Sequence, residues 1–171
     1  MEFLQTIRKG LDKILCAACI FLFGLMVVVG TYQIVTRFIF NSPSTVSEEL
    51  LTYSFAWMAL LSAAYIFGKR DHMRMGFVAD KVKGSAKKVL EICIELLVVA
   101  FAGIAMVYGG INIMGLTMTQ TTASLPVTMG VIYTVLPLSG LFIVIYGILN
   151  IIDLVHGKGL DHEENWRGEK I

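Results

Sequence analysis

At 171 residues the chain is 56% hydrophobic and only 16% charged, with mean hydropathy +0.74 and a formal net charge of +1. A water-soluble domain of this length carries more charge; the net charge by itself says nothing about nucleic acid, since the placement of charge matters more, and no nucleic-acid partner is expected. The composition excludes a soluble globular domain and leaves an all-α integral membrane protein. Several apolar runs are long enough to cross a bilayer, which takes about 20 residues each. We read one membrane domain over residues 1–171, with transmembrane helices at 14–37, 47–68, 89–116 and 131–155.

Residues 1–13 mix Arg8, Lys9 and Lys13 with Glu2 and Asp12, and read as an interfacial lead-in. The run that follows is too long for the apolar core of a signal peptide and has no clean cleavage site, so it reads as a mature helix. Cys16-x-x-Cys19 has the spacing of a redox or metal pair. Thiolate chemistry needs an electropositive, accessible setting. This pair lies among Leu15, Ala17, Ala18 and Ile20, so both cysteines read as small packing residues.

Arg37 closes the first span. A turn carrying Asn41, Ser42 and Pro43 follows, and Glu48 and Glu49 open the second span. A cation and two anions therefore face each other across one turn, and charge beside hydrocarbon calls for a partner. Thr45-x-x-Glu48 has capping-box spacing, and both glutamates suit the positive end of a helix dipole. Ala59-x-x-x-Ala63 and Ala64-x-x-x-Gly68 are small-residue pairs that let helices approach closely in lipid.

The stretch 69–88 is the most basic: Lys69, Arg70, Arg74, Lys81, Lys83, Lys87 and Lys88 stand against Asp71 and Asp80. Met75, Val78, Ala79 and Val82 recur at helical spacing, predicting a short amphipathic helix over 71–84 on the cytoplasmic face. His72, in this stretch, reads as an interfacial or capping residue. The third span exceeds the hydrocarbon thickness, which a tilt or a break at Gly109-Gly110 would absorb. Glu95 lies near its start. It is either an early-turn residue reaching back to the interface or a buried contact between helices or subunits. Asn112 is expected to make an interhelical hydrogen bond.

The connector 117–130 is uncharged and rich in hydroxyls. Pro137 lies inside the fourth span and is expected to kink it, with neighbouring helices meeting the freed backbone groups. The tail 157–171 is charged. The basic residues gather on one side of the membrane, so the positive-inside rule gives cytoplasmic termini. The Arg37 turn and the 117–130 loop then face outward. Neither an intramembrane histidine for haem nor a metal, nucleophile or phosphate motif occurs, so no enzyme chemistry is expected.

Three ordered sets of residues carry a resemblance. Arg37-Phe38-Ile39-Phe40-Asn41-Ser42-Pro43, followed by Ser47-Glu48-Glu49-Leu50, resembles the first signature of a family of small membrane subunits. These are the DctQ-like subunits of tripartite ATP-independent periplasmic (TRAP) transporters. Lys69-Arg70-Asp71-His72-Met73-Arg74-Met75 resembles the family's second signature. Leu125-Pro126 and the segment from Tyr133 to Gly140 resemble its entry to the fourth span. The resemblance implies a non-catalytic scaffold subunit in the bacterial inner membrane. It pairs with a large membrane subunit that holds the substrate and sodium sites, and a periplasmic binding protein delivers an organic anion such as a C4-dicarboxylate, sialic acid or another sugar acid. No cofactor is expected on this chain. Arg37, Glu48, Glu49, His72, Arg74 and Glu95 are the candidates for structural or interface roles. Two other classes stay open on the residues alone: a self-sufficient four-span transporter acting as a homodimer, and a membrane anchor for an enzyme complex.

Overall fold

The computed structural model describes residues 2–69 and 85–155, so the expected amphipathic helix 71–84, His72, Arg74 and the tail 157–171 lie outside the described residues. All regular elements within them are helices: α1 (Glu2–Phe38), α2 (Thr45–Gly68), α3 (Ser85–Phe101), a π-helical segment (Ala102–Tyr108), α4 (Gly109–Thr117), α5 (Met129–Tyr133) and α6 (Val135–Val155). They compose four helices long and apolar enough to span a membrane: Thr6–Phe38, Thr45–Gly68, Ile92–Thr117 and Met129–Leu154.

The first helix runs unbroken from Glu2 rather than starting at residue 14. No proline or cap interrupts the lead-in, and Gly10 alone is tolerated in a helix. Asn41 ends the segment in the left-handed region, φ 47°, which asparagine tolerates better than other side-chained residues. The second helix is capped by Ser44, one residue earlier than the Thr45 expected from spacing. Ser44 is extended (φ −96°, ψ 108°), and its hydroxyl accepts from the Ser47 amide.

The third helix departs from α geometry in the seven residues before Gly109, so the irregularity sits just ahead of the expected glycine pair. The fourth breaks at Thr134, three residues before Pro137. Proline removes its own N–H and its ring presses on the carbonyl four residues back, at Tyr133, which places the break there. Trp57 of α2 donates its indole N–H to the Ile132 carbonyl beside that break, at 3.0 Å.

The helices stand in a row. The first packs along the second, the second along the fourth, and the fourth along the third. The fourth is accordingly the most buried, while the first and third expose long apolar faces that include Phe21, Val28, Ile34, Leu97, Ile104 and Leu116. The core follows the inner seams, through Leu15, Leu61, Ala64, Ala102, Val135, Ile143 and Tyr146.

Lipid tails are as apolar as these side chains, so the seams rest on close packing and hydrogen bonds rather than on water exclusion. Small residues supply the closeness. Gly110 lies against Pro137, and Gly140 against Met106 and Val107 of the π segment. The Ala64/Gly68 pair is buried, with Gly68 against the Tyr146 ring, whereas Ala59 faces outward. Cys19 Sγ sits 3.3 Å from Ser62 Oγ on the seam between α1 and α2, in keeping with a packing role. Asn112 is exposed on α4, and it is Asn150 that bonds between helices.

Candidate functional site

Polar side chains concentrate at the two ends of the row. We call the end carrying residues 8 and 153 proximal, and the end carrying the 39–44 turn distal. At the distal end the site is built on Glu49. The Ser44 cap starts α2 so that Glu49, one turn in, meets the loop between the third and fourth helices. That loop folds on itself: Thr122 N donates to Val127 O (3.1 Å), Met129 N to Gln120 O (2.8 Å), and Thr122 Oγ1 to Leu125 O (2.6 Å). The resulting turn points three successive amides at the carboxylate. Ala123 N donates to Glu49 Oε1 at 3.0 Å, and Ser124 N and Leu125 N donate to Oε2 at 2.8 and 3.1 Å. Proline at 126 has no N–H, so the run of donors ends there. Tyr53, one helical turn beyond Glu49, donates its hydroxyl to Oε1 at 3.2 Å. Consecutive amides around one anion form a nest, and bonds to an ionised acceptor are stronger than neutral ones. Glu49 therefore clamps the loop to α2.

The two other residues expected here stand apart. Arg37 is exposed, its guanidinium 6.0 Å from the centre of the Phe38 ring. Glu48 is also exposed. Among the described residues no ion pair joins Arg37 to Glu48 or Glu49, because the Glu49 carboxylate is turned toward the loop.

At the proximal end Glu95 enters a network that the sequence reading missed. Asn150 of α6, fully buried, donates to Glu95 Oε1 at 3.2 Å and accepts from Arg8 Nη2 at 2.9 Å. The same guanidinium nitrogen donates to Asp153 Oδ2 at 3.0 Å, forming an ion pair. Tyr146, also fully buried, donates its hydroxyl to Asp12 Oδ1 at 2.6 Å. Glu95 thus faces the interior of the row. Arg8 and Asp12 had the i,i+4 spacing of one helix face, and Tyr146, Asn150 and Asp153 that of a polar stripe on an apolar helix. Those two patterns were the available signal. Among the described residues no group of three His, Cys, Asp or Glu side chains is placed to hold a metal ion.

Residues 26–157 match the family model described as "Tripartite ATP-independent periplasmic transporters, DctQ component". The chain is similar to the sialic acid TRAP transporter small permease protein SiaQ of Vibrio cholerae. They are 31% identical over 106 residues, which are 62% of this chain and 61% of that protein. Two putative TRAP transporter small permease proteins of Haemophilus influenzae are each 24% identical to it. One match covers 55% of this chain and 58% of the relative, the other 85% and 89%. The aligned region thus spans only about three-fifths of the first two relatives. The family match covers most of the four-helix row, and the chain belongs to the DctQ component family of TRAP transporters, as a transporter component and not an enzyme.

Proposed function

We propose that the chain is the small, non-catalytic membrane subunit of a sodium-driven uptake system for an organic anion. It braces a larger membrane subunit that holds the substrate and sodium sites, and a periplasmic binding protein delivers the anion. The observation that carries this reading is where the polar groups lie and what they do. Glu49 holds a loop, and Arg8, Asp12, Glu95, Asn150 and Asp153 hold helices together. Groups spent on joining elements suit a rigid brace. A conduit would place binding groups near the middle of the membrane. The exposed apolar faces of the first and third helices give such a brace two flanks for lipid and for a membrane partner. Likeness to a sialic acid transporter subunit favours a sugar acid as the transported anion, and the charge asymmetry favours an inner-membrane orientation with both termini in the cytoplasm.

The test is co-expression with a large membrane subunit of the same transporter family. The two are expected to co-elute after detergent extraction, and a cysteine replacing Ser42 is expected to be labelled from the periplasmic side. Elution of this chain alone under conditions that keep the large subunit folded would contradict the partnership. Labelling of position 42 from the cytoplasm only would reverse the orientation.

A further inference from the structure

The proximal network has a geometry beyond that of a headgroup-level ion pair. Residues 8 and 12 lie one turn apart on α1, and residues 146 and 150 one turn apart on α6, which runs antiparallel to it. Asp12 meets Tyr146 and Arg8 meets Asn150, so the two pairs share one register. Asp153 extends the stripe and takes the second bond of the Arg8 nitrogen. From Asn150 the connection continues to Glu95 on the third helix. Gly68 of the second helix closes the same level by abutting the Tyr146 ring, and Leu15, only 1% exposed, joins the core there. All four helices therefore converge around Tyr146 and Asn150. Toward the distal end the first helix keeps the second as its neighbour, with Gly30 near Leu51, and its Tyr32, Ile34 and Phe38 are exposed.

We infer that Arg8, Asp12, Tyr146, Asn150 and Asp153, with Glu95, form a clasp that fixes the position of the first helix relative to the third and fourth, while the seam with the second helix only keeps it alongside. Arg8 and Asp12 act by positioning α1. Without them α1 stays paired with α2, and its proximal turns move away from α6. Tyr146 and Asn150 are fully buried, while the Arg8 and Asp153 side chains keep 28% and 36% of their surface, so the specificity of the geometry rests on the two buried side chains of α6. The inference concerns this chain alone and does not rest on the transport reading.

The test is a pair of electron–electron distance measurements on the full chain in lipid nanodiscs, with Cys16, Cys19 and Cys93 replaced by serine. Spin labels at Lys9→Cys and Ile148→Cys, both exposed positions, report the first helix against the fourth. Labels at Thr31→Cys and Phe55→Cys, also exposed, report the first against the second. Arg8→Ala is expected to lengthen and broaden the 9–148 distribution and to leave 31–55 unchanged. Tyr146→Phe, which removes one oxygen and keeps the packed ring, is expected to do the same to a smaller degree should Arg8→Ala fail to fold. An unchanged 9–148 distribution in the variants that fold would overturn the clasp. Equal broadening of both pairs would also overturn it, since the network would then stabilise the whole row without positioning one helix.

Discussion

Alanine at Gly110 is expected to be the most damaging single methyl addition in the third helix. A Cβ built there lies 2.8 Å from Pro137 Cδ, 2.9 Å from Pro137 N and 3.1 Å from Leu136 Cβ. A backbone nitrogen, a ring carbon and a Cβ fixed to the backbone cannot rotate away, so the third and fourth helices must separate locally. Overpacking of this kind costs about 1–3 kcal/mol. The higher helix propensity of alanine returns at most about 1 kcal/mol, so the net effect is a loss. Gly115→Ala is the control, because nothing lies within 4 Å of a Cβ at Gly115 and only the propensity gain remains. Thermal unfolding in detergent should therefore show a lowered midpoint for Gly110→Ala and an unchanged or slightly raised one for Gly115→Ala. Equal midpoints would mean that the row is not closely packed at Pro137.

Loss of the Glu49 carboxylate is expected to free the distal loop. Glu49→Gln is not conservative at this site. Oε2 accepts from both Ser124 N and Leu125 N, and an amide nitrogen in its place would set donors against donors. Glu49→Ala leaves three amides with water as their partner. Hydrogen exchange in detergent or nanodiscs should show protection at residues 123–125 falling sharply in both variants, with the middle of α2 still protected. Glu48→Gln should change nothing, since that side chain is exposed. Retained protection at 123–125 in Glu49→Ala would mean that the internal bonds of the loop, Thr122 to Val127 and Met129 to Gln120, hold it without the clamp.

The four spans were legible because length and hydropathy alone separate a membrane helix from other structure. The family was legible because its motifs fall in order along the chain. Contacts between helices were another matter, since they depend on rotation and register that a hydropathy pattern does not contain. Arg37 and the two glutamates are neighbours across a short turn, which suggested a pair. The rotation of α2 instead aims Glu49 at a loop some 75 residues further on, at Ser124. Arg8 and Asp12 resembled interfacial charge because their partners lie more than 130 residues away, on α6. Glu95 stayed ambiguous until Asn150 fixed which way it faces. The π segment carries no sequence signal of its own, and only the adjacent glycine pair pointed near it.

The central claim, that this chain braces a transporter and does not itself transport, is tested most directly by uptake into proteoliposomes under an inward sodium gradient. Three preparations are compared, each supplied with the binding protein loaded with sialic acid or another candidate organic anion: this chain alone, the large subunit alone, and the two together. The account predicts accumulation with the pair, none with this chain alone, and a reduced level with the large subunit alone. Sodium-dependent accumulation by this chain alone would contradict it.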